Sequence, residues 1–295
     1  MLKHHFSVPT SPRRVVIVGA GGFVGKATMD TLAARGVEVA GVARQDVDLL
    51  SNAAAAQLTA LLRKGDTLVV IAAKAPVKNA TMLIDNLRMM TAVCAAVAAV
   101  APEHLIYVSS DAVYADSDAP LSEVSCAQPT SLHGVMHLAR EVMLADVYKG
   151  PLCILRPTLI YGAGDPHNGY GPNRFRRLAQ TGDEIVLFGA GEERRDHVYI
   201  NDVAEIAARC ALHKSEGVLN IATGVVTSFR EIAEKVIAIA PGASKIRDTP
   251  RSGPMPHRGY RAFDASLTGR AFPGFRYTPL DVGLALCQKQ EFKNG

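Results

Sequence analysis

Arg13-Arg14-Val15-Val16-Ile17-Val18-Gly19-Ala20-Gly21-Gly22-Phe23-Val24-Gly25 decides the fold. A short apolar run, Val15 to Val18, leads without a break into glycines spaced G-x-x-G-x-x-G, and an amphipathic stretch from Val24 to Arg35 follows. A buried strand that must stop, reverse and open a helix needs backbone freedom at the turn. Only glycine combines that freedom with the missing Cβ that lets phosphate groups touch the main chain. With a strand before it and a helix after it, the motif reads as a pyrophosphate cradle. Gly19, Gly22 and Gly25 shape it, and Phe23 and Val24 carry the first helical N–H groups toward the ligand.

Working outward, the pattern alternates. Strands are expected at Val37 to Ala43, Thr67 to Ala72, His104 to Ser109 and Leu152 to Arg156; helices are expected at Ala53 to Arg63, Ala80 to Val100 and Leu132 to Lys149. Such alternation gives a parallel sheet covered by helices on both faces, because right-handed crossovers return each helix over the sheet. The fold class is α/β, a doubly wound (Rossmann) sheet over residues 14–160. From Tyr161 to Arg177 the chain turns rich in Gly, Pro, Asn and Arg. Short strands at Ile185 to Phe188, His197 to Ile200 and Val218 to Ile221 and helices at Asp202 to Leu212 and Ser228 to Ile239 come next, and the chain is loop-rich beyond Pro241. A smaller, interleaved C-terminal substrate region is therefore assigned to 161–196 and 225–295, with 197–224 returning to the first domain. Residues 1–13 read as a loose tail.

Composition narrows the function. The 295 residues are 48% hydrophobic and 20% charged, enough for one large core or two modest ones. A net charge of +4 with scattered arginines lacks the dense basic face of a nucleic-acid binder, so an anionic small molecule is the expected partner. Cys94, Cys126, Cys153, Cys210 and Cys287 are odd in number and widely spaced; they form neither a disulfide framework nor a C-x-x-C metal site and suit a reducing cytoplasm. The N-terminus lacks the apolar core of a signal peptide. The Ala-rich stretch from Met89 to Ala101 is too short and mixed to cross a bilayer, so no membrane partner is expected.

Further motifs carry a family resemblance. The glycine turn, Asp48-Leu49, Ala72-Ala73, Asn86, the run Val108-Ser109-Ser110-Asp111-Ala112-Val113-Tyr114 and Arg156-Pro157-Thr158-Leu159-Ile160-Tyr161-Gly162 are among them. So are Arg194-Arg195-Asp196-His197-Val198-Tyr199-Ile200-Asn201-Asp202 and Asn220-Ile221-Ala222-Thr223-Gly224. In this order they resemble the extended short-chain dehydrogenase/reductase family, the NAD-dependent epimerases, dehydratases and reductases of sugar nucleotides, from about Arg14 to Leu284. The resemblance implies that Asp48 meets the adenosine, that Ala72, Ala73 and Pro157 line the cofactor, and that Ser110 orients the substrate oxygen. Asp111 matches an acid used by the dehydratases.

The resemblance also implies a Tyr-x-x-x-Lys pair on the fourth helix, and here the chain departs from it. Aligned on Gly134 and Glu141, His133 stands where the tyrosine belongs and His137 where the lysine belongs. An imidazole titrates near 6.5 and can serve as a general acid or base. His133 is thus the candidate proton carrier and His137 the candidate ribose ligand, His137 being mostly neutral unless Asp111 or Glu141 raises its pKa. The competing reading is a catalytically degenerate cofactor-binding sensor or scaffold protein. The i, i+4 spacing also suits one metal ion, but no third ligand stands at useful spacing, and His104, His167 and His197 read as surface or core residues. No metal is expected.

At the end of the second strand, where an acid would select NAD, the chain has Ala43 followed by Arg44. An arginine forks onto a 2′-phosphate, so NADP(H) is favoured, while Asp46 leaves NAD(H) possible. By resemblance, Arg195 grips a substrate diphosphate, Arg251 is a second clamp and Asn173 a polar substrate contact. A homodimer through Ala80 to Val100 and Leu132 to Lys149 is likewise implied. The expectation is hydride transfer at a secondary alcohol or ketone of a nucleotide sugar or related polar metabolite.

Overall fold

The computed structural model describes residues 2–240 and 242–294, with side chains to residue 290. In chain order the elements are β1 (Lys3–His4), β2 (Val15–Val18), α1 (Phe23–Ala33), β3 (Val39–Val42), α2 (Ala54–Leu61), β4 (Thr67–Val70), α3 (Ala80–Val100), β5 (His104–Val108), α4 (Leu132–Val147) and β6 (Leu152–Pro157). These are followed by β7 (Leu159–Tyr161), α5 (Pro172–Thr181), β8 (Ile185–Phe188), β9 (Arg194–Tyr199), α6 (Ile200–Leu212), β10 (Ser215–Ile221), β11 (Val226–Ser228) and α7 (Phe229–Ile239). Last come β12 (Ile246–Thr249), β13 (Tyr260–Arg261), α8 (Ser266–Ala271) and α9 (Leu280–Asn294).

The main sheet runs β1-β10-β6-β5-β4-β2-β3, and every pair is parallel except β1 with β10. Strand order reverses between β2 and β4, which opens a crevice at the carboxyl ends of the strands. Alternate side chains build the two cores. Val15 and Ile17 pack with Leu32 of α1 and Val203 and Ile206 of α6; Val16 and Val18 pack with Leu58 of α2, Met90 and Val93 of α3 and Leu144 of α4. Helix ends follow local chemistry. Asn79 caps α3 by accepting from the Met82 N–H at 2.9 Å, and Ala101 closes it in the left-handed region at φ 49°. Among the described residues α3 is the one helix long and apolar enough to span a bilayer; here it packs against α2 and α4.

The second region sits over the crevice. β11, β9 and β13 form a small sheet with β7 added on β9, β12 pairs with β8, and Phe175, Ile185, Leu187, Phe229, Ile232 and Leu284 make its own core.

Three local expectations are corrected. Of the tail expected over 1–13, residue 1 lies outside the described residues and residues 2–13 do not hang loose: β1 adds to the sheet edge, His4 Nδ1 meets Ser215 Oγ at 2.8 Å, and the Thr10 N–H donates to Leu212 O at 2.9 Å. A distant edge strand, which no local pattern announces, holds them. The Gly- and Pro-rich stretch contains α5, whose start is set by Pro172 in its first turn and whose stop by Gly182 at φ +76°. The segment after 241 contains α8 and α9, where Leu284 and Cys287 are buried. Pro241 itself lies outside the described residues.

Candidate active site

The β2–α1 turn is built to receive a ligand's backbone-scale approach. Gly19 has φ +99°, and a Cβ there would stand 2.6 Å from the Ala72 N. A Cβ on Gly25 would overlap the Gly19 carbonyl, so Gly25 lets α1 close on the turn rather than touching ligand. Gly22 begins α1 without any side-chain cap, leaving the helix N-terminus to the crevice. Gly19, Gly22, Phe23 and Val24 border a cleft of about 990 Å³ that continues past Ala72, Ala73 and Pro157. A cradle that any side chain would fill, at an uncapped helix start, fits a dinucleotide pyrophosphate.

At the adenosine end, Arg44 is 82% exposed at its side chain and its Nη2 lies 3.4 Å from Asp48 Oδ2. Asp48 Oδ1 accepts from the Leu50 N–H, the main reason its carboxyl sits below the usual range, with Arg44 adding to the effect. Asp46 turns back to accept from the Ala43 N–H at 2.8 Å.

Helix α4 is placed by sterics. Ser131 caps α4 by accepting from the Gly134 N–H at 3.1 Å, and a Cβ on Gly134 would overlap the Ala112 carbonyl. The helix can therefore press onto the turn at 110–113, bringing His133 and His137 to the cleft wall with Ser110 and Asp111. Ser110 Oγ accepts from the Ala112 N–H and lies 3.4 Å from Asp111 Oδ1. The His133 and His137 rings meet edge-on, centroids 4.7 Å apart at 89°, and the His133 Nδ1 is buried without a hydrogen-bond partner among the described residues. Burial lowers the His133 pKa; Asp111 opposes this and His167 adds to it. Burial takes His137 well below 6.5, and His133 and Arg140 push it further down. Glu141 gives no compensation, because Arg156 Nε and the Ser109 hydroxyl both donate to its carboxylate. His137 is thus a neutral imidazole at pH 7.

Sequence reasoning missed the groups behind this wall. Tyr107 Oη lies 2.8 Å from His137 Nδ1, and Arg140, fully buried, donates to the Ala72 carbonyl at 2.7 Å and sits over the Tyr107 ring. No carboxylate of the described residues pairs with Arg140. A lysine at 137 would add a second cation beside it, which a neutral imidazole avoids. Arg261, 2% exposed, donates from Nε to Asp111 Oδ2 at 3.0 Å and from Nη1 to Asp116 Oδ1 at 3.2 Å. This pair holds Asp111 Oδ2 and leaves Oδ1, 3.4 Å from Ser110 Oγ, as the oxygen open to the implied acid role. Arg261 comes from a loop-rich stretch with no motif, and only the pairing of β13 with β9 brings it in.

On the substrate side, Asn173 spends its amide on backbone, accepting from the Gly162 N–H at 3.1 Å and donating to the Ile160 carbonyl at 3.3 Å. Arg195 lines the cleft with Nη1 3.0 Å from Glu193 Oε1. Arg251 stands outside the lining, bonded to the Phe188 carbonyl and 4.0 Å from Glu193 Oε2, so the two expected clamps converge on a carboxylate. Five of the nine histidines, 133, 137, 167, 197 and 257, border the cleft. His197 thus belongs to the site rather than to surface or core alone; His104 is core, bonded to the Ser215 carbonyl. Among the described residues no three His, Cys, Asp or Glu side chains form a metal-binding group.

A glycine cradle at the switch point of a doubly wound sheet, opening into a cleft that continues under a second region, fits a nicotinamide-dinucleotide enzyme of the extended reductase class. The chain belongs to the NAD dependent epimerase/dehydratase family, whose profile matches residues 15–222. It is 29% identical over 265 residues to a UDP-glucose 4-epimerase of Mycolicibacterium smegmatis, covering 78% of this chain and 83% of that one. It is 25% identical over 289 residues to a dTDP-4-dehydro-6-deoxy-D-allose reductase of Streptomyces bikiniensis, covering 81% and 84%. Solved structures share the fold: a Thermus thermophilus UDP-glucose 4-epimerase in complex with NAD (TM-score 0.80, 22% identity, 94% of this chain and 98% of that one) and a Naegleria fowleri GDP-L-fucose synthetase bound to NADP (TM-score 0.82, 16% identity, 98% and 96%).

Proposed function

We propose that the protein is an NADP(H)-using oxidoreductase acting at a secondary alcohol or ketone of a nucleotide-activated sugar or a related polar metabolite, with His133 as the proton carrier. The observation that carries this reading is the His133 imidazole, which lines the cleft that the glycine cradle opens, beside Ser110, with neutral His137 behind it. Gly19, Gly22 and the first amides of α1 would hold the pyrophosphate, and Arg44, free to leave Asp48, would meet a 2′-phosphate. The nicotinamide, when bound, supplies or accepts the hydride.

The remaining work belongs to this chain's side chains. Ser110 donates to the substrate oxygen and orients it. His133 in its protonated form gives that oxygen a proton during reduction, and as a neutral base it removes the proton during oxidation. His137 hydrogen-bonds the ribose, and Asp111, held by Arg261, faces the developing imidazolium. Relatives of this chain act on UDP- and dTDP-sugars, which supports the substrate class. Exposed Ile84 on α3 and Val135 and Val142 on α4 support a homodimer through these helices. Four of the five cysteines are buried, which suits a cytoplasmic setting.

The test mixes the purified protein with NADPH and a panel of 4-keto nucleotide sugars and follows cofactor absorbance. Turnover that His133→Ala lowers by about a hundredfold or more, with NADPH affinity within a few-fold of the parent, supports the reading. NADPH binding without turnover on any substrate refutes it and leaves a sensor.

A further inference from the structure

β9 projects alternate side chains to one face, so Arg195 and His197 both reach the cleft, while Asp196 points away to bind Thr158 and Thr223. His197 is 6% exposed, and among the described residues neither of its ring nitrogens has a hydrogen-bond partner. Its ring stands edge-on to Phe229, centroids 5.8 Å apart at 80°. Across from it is Gly171, at φ +115°, where a Cβ would stand 2.9 Å from the Phe229 ring and 3.5 Å from His197 Nε2, so bare backbone lets the two rings pack against this turn.

Burial pushes the His197 pKa down to about 3, and the Arg195 charge acts in the same direction; an interaction with the Arg195 backbone opposes them. The imidazole is therefore neutral, with one nitrogen a donor and the other an acceptor. Buried polar atoms are almost always paired, and leaving two unpaired is costly. A phenyl ring would keep the contact with Phe229 and avoid the cost. The ring stands in the wall of the cleft. A phosphate is better served by the neighbouring guanidinium of Arg195, whereas a neutral imidazole suits an oxygen that carries no charge.

We propose that His197 is a binding residue for an uncharged hydroxyl or carbonyl group of the substrate, lying next to the anionic part held at Arg195. The proposal rests on the nucleotide-sugar reading above for its probes. Full-length protein saturated with NADPH is titrated calorimetrically with UDP and with UDP-glucose, and thermal midpoints are recorded without ligand for the parent, His197→Phe and His197→Gln. The Phe variant should melt higher by about 2 °C or more, because two unpaired polar atoms are gone, and should bind UDP-glucose about tenfold more weakly. The Gln variant, which keeps a donor and an acceptor, should bind within about threefold of the parent. If UDP weakens equally, the oxygen belongs to the nucleoside; if UDP is unaffected, it belongs to the sugar. Unchanged affinity for both probes in the Phe variant, or a lower midpoint, overturns the proposal and makes the nitrogens structural. Should neither probe bind the parent while NADPH does, the substrate class fails instead, and the midpoint alone decides: a rise supports a ligand-directed imidazole and a fall overturns it.

Discussion

Tyr107 Oη lies 2.8 Å from His137 Nδ1, and among the described residues the hydroxyl has no other hydrogen-bond partner. Burial pushes the Tyr107 pKa up to about 12, so the phenol keeps its proton and donates it to Nδ1. This assignment, made from the hydrogen-bond network, leaves the His137 proton on Nε2, where it can donate toward a ribose hydroxyl. A tyrosine under the helix thus sets the tautomer of the imidazole above it.

Tyr107→Phe should remove that control. The Nδ1 atom would be left buried and unpaired, at a cost of about 1–3 kcal/mol, seen as a lower denaturation midpoint in urea with an unchanged slope. NADPH affinity should fall with it, since the imidazole is free to take the other tautomer. Full retention of both would show that the hydrogen bond does not orient His137.

The pH dependence follows from the buried imidazoles. His104 at about 4, His197 at about 3, and His133, His137 and His257 all have folded pKa values below 6.5, chiefly through burial. Below pH 6.5 the unfolded chain takes up protons that the fold resists, so stability is full above that pH and is lost as pH falls toward the folded values. Asp196 and Asp202, whose carboxyls burial raises, protonate in the fold first and offset part of the loss only on nearing the carboxylate range. Thermal midpoints should therefore drop from pH 6.5 to 4. Reduction, which needs protonated His133, should speed up as pH falls below 6.5, while oxidation, which needs the neutral ring, should not. A flat melting profile would contradict the burial of these rings.

Much of this architecture is legible in the sequence, because the decisive signals are local. Val15 to Gly25 carries a strand, a turn and a helix start within one window, and α3 matches its expected bounds because Asn79 supplies the cap. Helix α4 is legible for the same reason, with Ser131 as its cap. What escapes is pairing across distance. β1 exists because an edge of β10 is free, and Arg261 reaches Asp111 across 150 positions through β13. His197 stands in plain view within a motif, yet its meaning is the absence of partners, which only packing reveals.

Arg44 gives the cofactor test. Its side chain is 82% exposed, and its ion pair with Asp48, at 3.4 Å, is an exposed i, i+4 contact of little worth. It can therefore swing to a 2′-phosphate at little cost. Arg44→Ala should weaken NADPH about tenfold and leave NADH nearly unchanged, as read by fluorescence titration. Equal losses would remove the phosphate-fork assignment.

Glu193 gives the last test, because it pairs with Arg195 and shares Arg251 with Glu192, whose Oε1 lies 3.7 Å from Arg251 Nε. Glu193 is 6% exposed, with Arg195 Nη1 at 3.0 Å and Arg251 Nη1 at 4.0 Å, and the Arg251 Nε is buried with no hydrogen-bond partner among the described residues. On the proposed function, an incoming diphosphate would meet a carboxylate already balancing the charge that should attract it, and Glu193 would compete with it. Glu193→Gln keeps the shape and one acceptor while removing the charge. UDP affinity in NADPH-saturated protein should rise about tenfold, with a steeper loss of binding as salt is added. Weaker binding in the variant would mean that the carboxylate instead preorganises Arg195 for the ligand.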